Sequence, residues 1–218
     1  MRLVVDGLWF RYPGGARPIL SDLSFEVPAG ASAAIVGPSG SGKTTLLSVL
    51  GGLLPRQQGS FCCTDADGRE HAPADVATWV LQTVSLLPER TVTDNVCLGA
   101  YLDGASRETA RARAAHALAA VGLSDRALDP AGILSGGEAQ RVAIARSLAS
   151  VRPVILADEP TGQLDASTTA VVLDAFFALA PRTIVLITHD EAAAGRCDLI
   201  WHLADGRLQP SGRQGPCP

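Results

Sequence analysis

An apolar run, Ala33-Ala34-Ile35-Val36, breaks at Gly37 into GPSGSGKTT, and an apolar helical pattern, TTLLSVLGGLL, follows at once. A strand that turns through a glycine-rich loop into a helix is the setting of a phosphate-binding loop, G-x-x-x-x-G-K-[ST]. Gly37, Pro38, Ser39, Gly40, Ser41, Gly42, Lys43 and Thr44 match it position by position. Glycines let backbone N–H groups converge on phosphate oxygens, and the helix start adds further donors and a partial positive charge. Lys43 is the chain's one lysine among 18 lysines and arginines. A compact ammonium enters a glycine nest and reaches β- and γ-phosphates, where a planar guanidinium does not fit. Thr44 offers a hydroxyl to Mg²⁺. The loop by itself specifies a nucleoside triphosphate. The guanine-selective N-K-x-D pattern is excluded, because it needs a second lysine.

Around the loop, β-branched runs alternate with alanine- and leucine-rich stretches. Strands are predicted over 3–12, near 24–27, at Ala33–Val36, and in PVILADEP and TIVLITHD. Helices are predicted from Thr44 to before Pro55, over 106–121, and in RVAIARSLAS. Strand, helix and strand in alternation imply a mainly parallel α/β sheet, whose ligands gather at the carboxyl ends of the strands. Gly37, Asp158 and His189 all fall at such ends.

Two further patterns choose among triphosphate enzymes. VILADE ends an apolar strand in two acids: Asp158 can hold a Mg²⁺ shell, and Glu159 can polarise an attacking water. LSGGEAQR places a hydroxyl and two glycines, Ser135, Gly136 and Gly137, before a helix. That is a second anion site by the same physics. It is equally a capping box, with Glu138 three residues after Ser135.

In order and spacing, GPSGSGKT, LSGGEAQR and VILADE resemble the Walker A, signature and Walker B motifs of ATP-binding cassette (ABC) transporter ATPases. The resemblance covers almost the whole chain. It implies a phosphate-loop NTPase of the ABC type, α/β, with a mainly parallel core sheet, a small antiparallel β region and a helical subdomain. One domain over 1–210 is expected, with the helical part near 84–152 and residues 211–218 disordered. The resemblance also assigns residues. Tyr12 is similar to the aromatic that stacks on adenine, in preference to Trp9 and Phe10. Gln82 resembles the Q-loop glutamine, a Mg²⁺ ligand beside Thr44 and Asp158. Asp165 resembles the D-loop aspartate that reaches across a dimer, and His189 the switch histidine that contacts the γ-phosphate. The catalytic set is then Glu159, His189, Lys43 and Gln82. The nucleotide-binding set is Tyr12, the loop from Gly37 through Thr45, Ser135–Gly137 and Asp165. The ligands are ATP and Mg²⁺.

The implied assembly is a head-to-tail pair of identical or similar chains driving a separate membrane permease. The chain would sit on the cytoplasmic face of the membrane and make no direct contact with the transported substrate. ADEPTGQLD and SLLPERTVTDNV resemble the branch of lipoprotein-release, macrolide-export and cell-division ATPases. Three places depart from that branch: Gln163 for the usual asparagine, Leu81 for the aromatic before Gln82, and a shortened segment from Gly59 to Gln82. The same ATPase driving a permease-like regulator of an envelope enzyme or of signalling is the alternative. Nucleic-acid work is disfavoured by a net charge of −4 and by the short stretch between Thr45 and Leu134, which has no room for long coiled coils. No apolar run approaches the about 18–20 residues that span a bilayer, and no signal peptide is expected. The five cysteines are odd in number and show no C-x-x-C spacing, so they are expected to be ordinary thiols.

Overall fold

The structure, a computed structural model, describes residues 1–178 and 182–211. Along the chain run β1 (Arg2–Phe10), β2 (Leu20–Val27), β3 (Ser32–Val36), α1 (Lys43–Leu50), β4 (Gln58–Thr64), β5 (Glu70–His71) and α2 (Pro73–Val76). Then follow β6 (Ala77–Val80), α3 (Val92–Tyr101), α4 (Arg107–Ala120) and α5 (Gly136–Ala149). The last elements are β7 (Val154–Asp158), α6 (Ala166–Ala178), β8 (Thr183–Ile187), α7 (Glu191–Ala194), β9 (Leu199–Ala204) and β10 (Arg207–Pro210). The expected disordered tail, with Cys217, lies outside the described residues except for Ser211.

Two compact units share these elements. The first comprises Met1–Ala77, Pro153–Glu159 and residues 182–211. In it β3, β7, β8 and β9 form a parallel sheet in the order β9-β3-β8-β7, and β10 closes the β9 edge antiparallel. The central strands are buried on both faces, which is why SAAIV, VILAD and TIVLI read as unbroken apolar runs rather than alternating ones. A second sheet, β2-β1-β4-β5, is antiparallel throughout. Burial alternates along β1 and β2, as one covered face and one open face require. This is the small antiparallel region, and its edge strand β5 is reduced to Glu70–His71.

Register sets the working edge of the parallel sheet. Ile35 pairs with Ile187, and Ile187 pairs with Asp158. The chain therefore leaves β3, β8 and β7 side by side, at Gly37, Thr188 and Glu159.

The second unit, Thr78–Arg152 with residues 160–178, holds α3, α4, α5 and α6. Thr91 and Ser106 cap α3 and α4 by accepting from the N–H groups of Asp94 and Thr109. Alanines at 110, 114 and 117 line the buried face of α4, as the alanine stripe there suggests. The helices α3 and α5 approach closely at Gly99. A Cβ at that position would lie 2.0 Å from the Arg146 carbonyl oxygen. Gln82 and Leu81 follow β6 in an exposed loop of this unit.

Four cysteines are free thiols: Cys62, Cys63, Cys97 and Cys197. Burial pushes Cys63 up to about 11 and Cys197 up to about 12, so neither is a thiolate at neutral pH. Among the described residues no helix is long and apolar enough to cross a membrane.

Gly99→Ala is expected to destabilise the chain by about 1–3 kcal/mol, because the methyl meets backbone rather than a yielding side chain. Urea unfolding monitored by circular dichroism measures it.

Candidate functional site

The glycine loop is shaped by its own scaffold as much as by any ligand. At Gly37 a Cβ would fall 2.2 Å from the Leu203 carbonyl oxygen of β9. At Gly42, with a left-handed φ of 104°, it would fall 2.8 Å from the Ile19 side chain. Gly40 also has a left-handed φ, 79°, but nothing lies within 4 Å of its missing Cβ. Thus Gly37 and Gly42 let the loop fit against the sheet, and Gly40 faces the open side.

Lys43 crosses the loop from within. Its Nζ donates to the carbonyls of Gly37 at 2.9 Å and Pro38 at 3.0 Å, which leaves one N–H for another acceptor. The helix it begins, α1, has Gly42 at its N-cap and no side-chain capping bond. The other described helices of eight residues or more are all capped by Thr91, Ser106, Ser135 or Asp165. The start of α1 thus keeps free N–H groups and a positive dipole end together with an ammonium, which suits a phosphate.

Beside it, Asp158 ends β7 with 4% of its surface exposed. Burial raises its pKa above the ordinary carboxylate value; the Thr44 hydroxyl's hydrogen bond opposes that, Glu159 adds to it, and Lys43 offsets it. Its Oδ1 is buried and accepts no hydrogen bond. An orphaned carboxylate oxygen next to a threonine hydroxyl fits a divalent cation. Among the described residues no group of three or more His, Cys, Asp or Glu side chains could hold a metal alone. Oxygens of a bound phosphate would have to complete the shell.

Glu159 does not extend the strand. It turns to a left-handed φ of 48°, which costs a non-glycine residue about 1–2 kcal/mol. Its N–H donates to the Ile187 carbonyl at 2.8 Å. The turned side chain meets His189: Nδ1 lies 2.8 Å from Glu159 Oε2, and the His189 backbone N–H donates to the same oxygen at 3.3 Å. The glutamate side chain is 11% exposed and the imidazole 73%. A shielded carboxylate is thus oriented by a ring that stands in solvent.

Tyr12 lies beyond the end of β1, which stops at Phe10. Phe10 is buried and meets the Tyr12 ring edge-on at 5.0 Å. Tyr12 is 42% exposed. Its hydroxyl shares a hydrogen bond of 3.2 Å with that of Thr45 in α1, so Thr45 aims the ring. Trp9 faces Arg11, whose guanidinium carbon lies 5.8 Å from the indole ring. Gln57 fixes this end of the strand, accepting from Arg11 N–H and donating to Arg11 O, both at 2.8 Å. A cavity of about 280 Å³ opens here, bounded by Tyr12, Trp9, Arg11, Gln57 and Gln58. Neither Gln57 nor the Tyr12–Thr45 bond had a sequence signal, since each joins residues far apart in the chain.

In the second unit Ser135 caps α5 in a full capping box. Its Oγ donates to Glu138 Oε2 at 2.8 Å and accepts from Glu138 N–H at 3.3 Å, and its own N–H donates to Glu138 Oε2 at 2.9 Å. These bonds from Ser135 hold the Glu138 carboxyl below its usual range. An anion arriving at Ser135–Gly137 must compete with that carboxylate. Gln163 lies over the same turn: a Cβ at Gly136 would be 3.1 Å from Gln163 Oε1. Asp165 faces its own helix. Its two oxygens accept from the hydroxyls of Ser167 and Thr168 and from both of their N–H groups, capping α6 and depressing its pKa.

Residues 20–162 match the family model for ABC transporters. The chain is 40% identical to lipoprotein-releasing system ATP-binding protein LolD 1 of Rhodopirellula baltica, over 98% of each chain. It is 38% identical to the macrolide export ATP-binding/permease protein MacB of Burkholderia pseudomallei, covering 91% of this chain and 32% of that longer one. Among solved structures, a dimeric bacterial ABC transporter cassette superposes with a TM-score of 0.86 at 29% identity, covering 99% of this chain and all of the other.

Ser135→Ala is expected to cost about 1 kcal/mol at neutral pH through loss of the cap. The Glu138 carboxyl is depressed in the folded chain, so its contribution is present above its unfolded pKa, about 4.3, and is lost as pH falls through the folded value. The gap between variant and parent should therefore narrow, without closing, as pH falls from about 4.3 through the depressed folded value, because the Glu138 N–H to Ser135 Oγ bond does not depend on the carboxyl's charge; unfolding titrations across pH will test this.

Proposed function

Since this chain belongs to the ABC transporter family, we propose that it is the ATP-hydrolysing subunit of a system whose membrane permease is a separate polypeptide. The observation that supports this most directly is the Glu159–His189 pair, at the sheet edge where the glycine loop and Asp158 also emerge.

In this reading the base of ATP stacks on Tyr12, which Thr45 and Phe10 aim and support. The triphosphate lies along the N–H groups of Gly37–Thr45, with the Lys43 ammonium against its outer phosphates. Thr44, Asp158 and Gln82 would hold Mg²⁺, which when bound neutralises charge on the β- and γ-phosphate oxygens. Glu159 accepts a proton from the attacking water as that water approaches the γ-phosphorus. His189, hydrogen-bonded to Glu159 Oε2, orients the carboxylate and offers its other ring nitrogen to the γ-phosphate. Both units together make one ABC ATPase domain, and the second supplies the helical part.

Ser135–Gly137 then belong to a composite site. ATP would lie between the glycine loop of one copy and the α5 start of a second in a head-to-tail dimer, like the dimeric cassette it superposes on. Closing on ATP and opening after hydrolysis would be passed through the Gln82 loop to the permease. The chain would sit peripherally on the cytoplasmic face through that permease. Similarity to LolD and MacB favours a lipoprotein-release or macrolide-export type of partner.

Glu159→Gln is expected to bind ATP, to lose hydrolysis by about 100-fold or more, and to accumulate as an ATP-bound dimer in size-exclusion chromatography with light scattering. Wild-type-like turnover would remove Glu159 as the base. Lys43→Arg should retain the circular dichroism spectrum and melting behaviour of the parent while losing most ATPase activity, because the guanidinium cannot occupy the same nest.

A further inference from the structure

Gln140 lies on α5 with 1% of its surface exposed. Its Nε2 donates to the Pro160 carbonyl at 3.0 Å. Its Oε1, equally buried, accepts no hydrogen bond. A half-satisfied buried amide is a poor choice for packing alone, since leucine or methionine would fill the place without an orphaned acceptor. The amide N–H therefore serves something besides the core.

What it holds is the carbonyl of the residue directly after Glu159. The left-handed φ of Glu159, 48°, is a conformation that a non-glycine residue keeps only where its surroundings enforce it. On the upstream side the Glu159 N–H is fixed by the Ile187 carbonyl at 2.8 Å. On the downstream side the proline ring locks φ of Pro160. The rotation left to Pro160 is that of its carbonyl, and this is the group that Gln140 holds.

We infer that Gln140 is a positioning residue for hydrolysis: by gripping the Pro160 carbonyl with its buried amide, it keeps Glu159 in the turned backbone geometry from which the carboxylate meets His189 and the attacking water. The inference rests on Glu159 acting as the base, as proposed above. Gln140 acts only through Pro160 and Glu159.

Two variants test this in steady-state ATPase assays of the purified chain with Mg²⁺ and ATP. Gln140→Leu keeps the volume and removes the donor. Its kcat should fall about tenfold or more, with KM for ATP within about twofold of the parent, as misplacement of a catalytic group does. Gln140→Glu supplies a donor only when the introduced carboxyl is protonated, and burial raises its pKa. Its kcat relative to the parent should rise about threefold or more between about pH 8 and about pH 6. A leucine variant with parental kcat, or with raised KM and unchanged kcat, overturns the inference. So does a Gln140→Glu to parent ratio that is flat with pH, and that ratio decides alone if the leucine variant does not fold. A parent chain that hydrolyses no ATP overturns the ATPase reading instead, so the two failures are distinguishable.

Discussion

Parallel pairing of β3, β8 and β7 fixes where everything chemical in the first unit can happen. Ile35, Ile187 and Asp158 stand in one register row, so the three segments that follow them leave the sheet as neighbours. A slip of one residue in the β7–β8 pairing would carry Glu159 away from Ile187 and turn its side chain to the other face of the sheet. The largely apolar strands hold that row by burial on both faces, and Asp158, the last residue of β7, is the polar group they place at its edge. In the proposed reaction the chemistry falls to Asp158 and to the first residues past each strand end, which include Gly37, Glu159 and His189.

At that edge several polar groups lack the partners found elsewhere. Helix α1 has no side-chain cap, whereas α3, α4, α5 and α6 are each capped by a hydroxyl or carboxylate of their own segment. Asp158 keeps a buried oxygen without a hydrogen bond, and Glu159 keeps a strained φ. Each is a local cost, and all three fall within the span that binds or attacks a triphosphate in the proposed reaction. The capped start of α5 is the instructive contrast. Its glycines resemble those of the phosphate loop in sequence, yet Glu138 already occupies the anion position there. The two glycine turns therefore differ in what they ask of a ligand: the first lacks an anion, and the second must exchange one.

Much of this was readable from residue order. Strand, glycine loop and helix announced themselves because their residues are contiguous and their periodicities differ, and the boundaries of β3, β7 and β8 follow the apolar runs closely. The helix after Lys43 ends at Leu50 rather than running to Pro55, because Gly51 and Gly52 stop it first. Among the elements missed altogether were β4, α3, α6, β9 and β10. Their segments mix apolar and small residues without a clear period, and β9 is ordered by pairing with β3, a partner far away in sequence. The same limit hid Gln57, whose clamp on Arg11 spans 46 residues, and the bond between Tyr12 and Thr45. Glu159 lies between the two cases. Pro160 after it disfavours a right-handed helical conformation, but the sequence does not say that the residue turns left-handed.

That turn is what would let an acid at the end of a strand act as the base in the proposed reaction. Continued in the strand, residue 159 would alternate away from Asp158 and lie along the sheet with its neighbours. Turned at φ 48°, its carboxylate meets both the backbone and the ring of His189, one residue beyond Thr188. A straight strand gives direction and burial but little choice of where its last side chain points. The strained residue supplies that choice, with its N–H held by the Ile187 carbonyl on one side and the Pro160 carbonyl held by Gln140 on the other. The precision of this site therefore resides in hydrogen bonds to backbone groups around Glu159, and not in a dense network of side-chain charges.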